Sequence, residues 1–308
     1  MKGLQSFRYF PFVFFGCIAI VLAFIVPHFF TVRNIINVLT QASTLGLMSM
    51  GMAAVLLVGG IDLSIPAIMA FSGILGAMFM RAGGNPVIAS LIMVSVGSIA
   101  GCINGLAVAY LRMIPFVVTL SMQAIATGAA IWVTNALSVS GIPTSFMNAI
   151  LYKVWIIPLP VIVFVLLTIL FELLLRRSLF GRWLYSVGTN VRASRVSGIN
   201  TTRVLFSAYL FSGMMAGIVA IMVTARLSSA SATMGSSNVV LDIVSSAVIG
   251  GVSIYGGSGS AVGVMLGALV ITLISNSMNF LHVPYYLTLM IKGAVIIAAI
   301  AFDSFRKK

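Results

Sequence analysis

Apolar residues fill this chain in long runs, and the places where the runs stop carry Gly, Pro, Asn or clustered Arg. Reading between those breakers predicts ten spans, near residues 10–30, 35–58, 65–81, 86–110, 115–137, 156–175, 203–225, 238–255, 261–280 and 285–302. A helical crossing needs about 20 residues, so the 308-residue chain holds about ten crossings and short connections. Residues 1–308 therefore read as one transmembrane domain, with no room for a separate soluble unit. Stretches such as VIVFVLLTILFELLL, residues 161–175, are continuously apolar. A barrel strand would alternate instead, so the predicted class is an all-α polytopic membrane protein. The eighth span, 238–255, is short and glycine-rich. It reads as broken or re-entrant, which is tolerated only where protein or a cavity surrounds the backbone.

Composition agrees: 61% of residues are hydrophobic and 7% charged, with mean hydropathy +1.19, far from a soluble globule. Charge then orients the spans, because short cytoplasmic loops carry the excess of Lys and Arg. An internal N-terminus places Lys2, Arg8, Arg112, Arg176, Arg177, Arg182, Arg192, Arg195, Arg203, Arg306, Lys307 and Lys308 on the cytoplasmic side. Arg33, Arg81, Lys153 and Arg226 fall on the other side, and Lys292 falls within the last span. Both termini are thus predicted inside, and deleting the eighth span would send the basic tail FRKK outside. The net charge of +13 suits topology and anionic headgroups, and no basic patch is interleaved with stacking aromatics as a nucleic-acid site would be. The first run follows Lys2 and Arg8 but is too long for a signal-peptide core and lacks a small-residue cleavage site, so it reads as a retained span. Cys17 and Cys102 lie in spans without metal-ligand spacing. His28 and His282 fall at the predicted outer interface, with no further ligands beside them.

Three segments stand out for chemistry. The longest polar interruption, 176–203, holds six arginines and no acid. Within it Thr189 or Asn190 reads as an N-cap, Arg192 to Val196 as a short helix and Gly198 as its terminator. In GGIDLSIP, Gly59 and Gly60 end one helix, Asp62 or Ser64 caps the next, and Pro66 is tolerated in its first turn. Asp62 reads either as that cap or as a gate or substrate contact. In the stretch 239–260, Asp242 is placed near the extracytoplasmic end, where it meets either Arg226 or the solvated pathway mouth and reads as structural pairing. Gly250, Gly251, Gly256, Gly257 and Gly259, followed by Gly263 and Gly267, read as bending and close helix packing. Polar residues in or beside spans are, as a group, candidates for a pathway, each taken singly reading as an interhelical hydrogen bond: Gln41, Ser43, Thr44, Ser121, Gln123, Asn135, Asn276 and Asn279. No phosphate-cradling glycine loop and no nucleophile with acid and base appears, so neither catalysis nor a cofactor in this chain is expected.

Five pieces in fixed order carry a family likeness: FFTVRNIINVL at 29–39, GGIDLSIPAIMAFSG at 59–73, GTNVRASRVSGIN at 188–200, ARLSSA at 225–230 and LDIVSSAVIGGVSIYGGSGSAVGVMLGALVI at 241–271. On these the chain resembles the membrane permeases of ribose-type ABC sugar importers over nearly its whole length. The resemblance implies a pathway-forming subunit of a bacterial inner membrane, paired with a second copy or a related permease. It also implies cytoplasmic ATPases, which carry the ATP and Mg, and a periplasmic sugar-binding protein. It makes Gly188, Thr189, Asn190, Val191, Arg192, Ala193, Ser194, Arg195, Gly198 and Ile199 a coupling helix with its flanks, and the binding protein is expected to dock near 138–153 and 226–238. Relatives usually carry glutamate where this chain has Val191 and Arg192. The alternatives are a permease for branched-chain amino acids or another small solute, and an ion-coupled secondary transporter. The second would want acids at the membrane midplane, and the chain has four Asp and Glu in all.

Overall fold

The computed structural model describes residues 11–13, 15, 16, 20, 29 and 31–306, and beyond residue 294 only the side chain of Ile297. The expected first span, with Cys17 and His28, lies largely outside the described residues. The helices that follow are α1 (Val32–Leu57), α2 (Ile65–Arg81), α3 (Pro86–Ala109), α4 (Pro115–Thr134) and the short α5 (Thr144–Ile150). A two-stranded hairpin, β1 (Lys153–Val154) and β2 (Ile157–Pro158), leads into α6 (Leu159–Arg177), α7 (Leu179–Thr189) and α8 (Val191–Val196). Then come α9 (Thr201–Leu227), a 3₁₀ turn at Ala232–Gly235, α10 (Ser237–Ile249), α11 (Ala261–Phe280) and α12 (Tyr285–Arg306). Among the described residues six helices, α1, α3, α4, α6, α9 and α11, are long and apolar enough to cross a membrane. The chain is therefore a polytopic helical membrane protein.

Proline and capping residues set the starts. Pro66, Pro86, Pro115 and Pro160 sit in first turns, where the missing N–H has no intrahelical acceptor to lose. Asn85 caps α3 by accepting from the Val87 N–H at 2.8 Å. α1 is the axial element: residues 46–58 are all buried, which fits a helix that is apolar on every side. α3, α4 and α6 instead keep outward apolar faces, with Leu91, Ile103, Ile125 and Leu166 exposed.

α3 and α9 cross in close contact. Gly97, Gly101 and Gly105 run at four-residue spacing down α3, against Gly213 and Gly217 of α9. A methyl built on Gly101 would lie 3.0 Å from the Gly213 Cα, and one on Gly217 2.7 Å from the Met93 carbonyl oxygen. Small residues let backbones touch where no hydrophobic drive exists between helices in lipid. Gly101→Val is expected to wedge this pair apart at a cost of at least about 1–3 kcal/mol, read as a lowered melting temperature of the detergent-solubilised chain.

Two helices are short. α10, expected to extend through 238–255, ends at Ile249 because Gly250 and the left-handed Gly251 (φ 84°) terminate it. Its 13 residues span about 20 Å, and the irregular segment 250–260 continues the chain from its end to α11. α2, with 17 residues, likewise follows an irregular break at 58–64. The segment 176–203 is more ordered than its polarity suggests. α7 occupies 179–189, capped by Ser178, whose Oγ accepts from the Gly181 N–H at 2.9 Å, and it buries Gly181, Leu184 and Val187.

Candidate functional site

The two helix breaks meet at the arginine-bearing end of the bundle. The Gly257 N–H donates to the Leu57 carbonyl at 3.0 Å, and a Cβ on Gly256 would lie 3.0 Å from the Gly59 nitrogen. Gly188, at the end of α7, closes the junction. A methyl there would run into the Leu57 carbonyl oxygen and lie 2.5 Å from the Gly257 nitrogen. Tyr185 of the same helix donates its hydroxyl to the Gly259 carbonyl at 2.9 Å. Burial first, then the charge of Glu172, pushes the Tyr185 phenol up to about 12, opposed by Arg176, so it remains a donor at neutral pH. Glu172 accepts from the Ala261 N–H at 2.7 Å and pairs with Arg176. Its carboxylate thus sits at the N-terminus of α11, where the dipole favours it.

α8 projects beyond this junction. Asn190, not Thr189, is its cap, accepting from the Ala193 N–H at 2.9 Å, while Thr189 bonds back to the Tyr185 carbonyl. Gly198 follows with φ 82° and open space around it. Arg192 and Arg195 are exposed, Ser194 is buried and Val196 is 90% exposed. A six-residue helix with two cations and a bare valine presents a mixed surface, while Ser194 faces inward.

Asp62 is wholly buried at the α1–α2 break. Its Oδ1 accepts from the Ser64 N–H at 3.0 Å and from the Ser64 hydroxyl, and its Oδ2 accepts from Ser212 Oγ of α9 at 2.7 Å. Asn104 of α3 donates to Ser64 Oγ at 2.9 Å. The carboxylate therefore joins α2, α3 and α9, and it lies apart from the cavity described next. Asn104, Ser212 and Glu172 went unmarked in the sequence, because each gains its meaning from a partner 40, 150 or 89 positions away.

Near the opposite end, a cavity of about 310 Å³ opens between α1, α2, α9, α10, α11 and α12. Gln41, Thr44, Arg226, Asp242, Ser275 and Lys292 give it polar groups, and Met48, Met69 and Met234 line it beside them. Asp242 pairs with Lys292, Nζ to Oδ2 at 2.9 Å, rather than with Arg226, one of the two expectations, because α12 packs on α10. The Arg226 guanidinium has no hydrogen bond or ion pair among the described residues.

Of the eight pathway candidates, Gln41 and Thr44 line this cavity. Ser43 is buried and bonds the Thr40 carbonyl. Asn276 exchanges two hydrogen bonds with Asn34, at 3.1 and 3.0 Å, and so ties α11 to α1. Ser121 is exposed and Gln123 half-buried on α4, Asn135 is its exposed left-handed C-cap (φ 50°), and Asn279 is exposed at the end of α11. His282 is exposed in the turn that follows, and Cys102 is a free thiol, half-buried on α3. Among the described residues no group of His, Cys, Asp and Glu is arranged to hold a metal ion.

The family described as branched-chain amino acid transport system, permease component, matches residues 34–300. The chain is 35% identical over 300 residues to the ribose import permease protein of Bacillus subtilis, covering 97% of this chain and 92% of that one. It is 36% identical over 298 residues to the D-allose transport system permease protein of Escherichia coli, covering 96% and 91%. It is 29% identical over 293 residues to the L-arabinose ABC transporter permease protein of Azospirillum brasilense, covering 93% and 84%. No solved structure matches.

Proposed function

The chain belongs to the branched-chain amino acid transport system permease family, and from that premise we propose that it is the permease subunit of an ATP-binding-cassette importer of a monosaccharide. The observation that carries the substrate class is full-length similarity to ribose, allose and arabinose permeases. The branched-chain amino acid reading rests on the family description alone. ATP hydrolysis belongs to a separate subunit, which supplies the ATP and Mg, and a sugar-binding protein delivers the cargo from outside a bacterial inner membrane. The permease pairs with a second copy or a related chain.

We infer ten crossings with both termini cytoplasmic. The Lys and Arg distribution supports this, as does the course of α10: Asn238 at its start bonds the Tyr285 hydroxyl, while the segment after it reaches the Gly188 junction at the other end. The 176–203 segment then faces the cytoplasm, with α8 as the coupling helix. Its position supports that role, because Gly188 at its base touches both helix breaks. A push on α8 by an ATPase that closes around nucleotide would reach the backbone of 57–60 and 256–259 directly. At the far end, the loops proposed to dock the binding protein, 138–153 and 226–238, are already stitched together by paired Val139–Ala230 backbone bonds of 2.8 and 2.9 Å.

The test is purification of the tagged chain in mild detergent with its ATPase. Arg192→Glu with Arg195→Glu is expected to cut co-purifying ATPase and coupled sugar uptake at least about tenfold, the size of losing interfacial charge pairs, with membrane insertion intact. An unaltered complex would remove α8 from the interface. An active transporter recovered with no ATPase would overturn the importer reading in favour of a secondary transporter.

A further inference from the structure

Nothing above gives a role to the cavity at the end away from α8, and its chemistry is specific. Asp242 brings one carboxylate, whose Oδ2 is held by Lys292 while no hydrogen bond engages Oδ1. Arg226 brings donors with no protein partner among the described residues, and Gln41, Thr44 and Ser275 add neutral groups. A fixed acceptor among several donors is the complement of a polyol, in which each hydroxyl both donates and accepts. The cavity volume of about 310 Å³ lies at the small end of ligand pockets, about 300–1,000 Å³, enough for one small solute.

The remaining wall argues how such a solute would be held. None of the lining residues is aromatic, and Met48, Met69 and Met234 are three of its seven apolar side chains, beside Leu45, Val223, Leu227 and Val239. Methionine is flexible and adapts to different shapes, as at promiscuous binding surfaces. Without a rigid stacking face, the cavity offers orientation by polar groups and little shape discrimination. Leu227, exposed on the lining, stands three residues before Ala230, which pairs with Val139 in the loops proposed to dock the binding protein.

We propose that this cavity is a permissive transit station for one neutral monosaccharide, with Asp242 its hydroxyl acceptor and the methionines its adaptable wall. The proposal rests on the importer reading and deepens it. The competing view of Asp242 and Lys292 is a strap between α10 and α12 with no contact to cargo.

The experiment uses the permease reconstituted in liposomes with its ATPase and binding protein, and radiolabelled ribose and allose as probes. Asp242→Asn is expected to lower uptake at saturating loaded binding protein by about tenfold for whichever sugar is carried, the scale of one charge-assisted hydrogen bond. The exchange Asp242→Lys with Lys292→Asp keeps a strap but moves the acceptor, and uptake is expected to stay low. Ser275→Phe narrows the cavity and is expected to slow the hexose more than the pentose. Full uptake by the exchanged pair, or unchanged uptake of both sugars in the Ser275 variant, overturns the station and leaves the strap. Failure of the unsubstituted complex to import any sugar would instead overturn the importer reading.

Discussion

Gly188→Ala is expected to abolish coupled uptake, lowering it by at least about a hundredfold, while the chain still inserts and folds. The reason is steric and local. The added methyl has backbone on two sides, the Leu57 carbonyl and the Gly257 nitrogen, and backbone cannot rotate away as a flexible side chain can. α7 must lift off the junction, and the Gly257–Leu57 hydrogen bond and the Tyr185–Gly259 bond are the contacts nearest to it. The helices themselves lose little, since their packing lies elsewhere, along α3 and α9. Gly198→Ala is the matched comparison. Gly198 has nothing within 4 Å but a φ of 82°, so alanine there costs about 1 kcal/mol of backbone strain and is expected to leave most uptake in place. ATP hydrolysis and sugar uptake measured together on both variants decide the matter. Equal behaviour of the two would mean that the junction transmits nothing, and wild-type uptake by Gly188→Ala would remove it from the mechanism.

The sequence made the spans legible because apolar runs and their breakers are local signals. The edges of α2, α3 and α11 fall within a residue of expectation, and the Gly59–Gly60 and Gly250–Gly251 breaks announced themselves by composition. α7 did not: its glycines and arginine masked a buried face of Gly181, Leu184 and Val187, and a helix capped by Ser178 looked like loop. Whatever depends on two distant segments meeting was beyond reach. For Asp242 the chain offered Arg226 or the pathway mouth, whereas the approach of α12 supplies Lys292 as its ion-pair partner. Asn276 read singly as an interhelical hydrogen bond, but its partner Asn34, 242 positions earlier, was not readable from the chain. The four-residue spacing of Gly97, Gly101 and Gly105 was a readable signal that the glycine-rich 250s overshadowed. Function was legible in part through likeness, since the five matching pieces include both helix breaks and the α8 segment, the elements that the fold brings together.

Asp62→Ala is expected to be the most damaging single substitution in the fold, whereas Asp62→Asn keeps most of it. Removing the side chain strands the Ser64 N–H and the Ser64 and Ser212 hydroxyls, at a position wholly buried from solvent. Each buried donor left without a partner costs about 1–3 kcal/mol, a large share of the total stability of about 5–15 kcal/mol for a folded protein. Asparagine retains the shape and one acceptor oxygen. The Ser64 N–H keeps its bond, and the Ser212 hydroxyl can turn to accept from the new amide. The loss is then about 1–2 kcal/mol, the weakening of charge-assisted bonds to neutral ones. Thermal melts of the two purified variants, read beside uptake, separate the alternatives left open for this carboxylate. A folded Asp62→Asn protein that transports at near wild-type rate makes Asp62 the cap and tie of α2, α3 and α9. A folded Asp62→Asn protein that has lost uptake would make the charge itself part of the transport cycle. Burial and the Ser64 and Ser212 partners, with no share in the cavity lining, favour the first outcome: the charge is held by the start of α2 and serves to fix the break against which Gly188 rests.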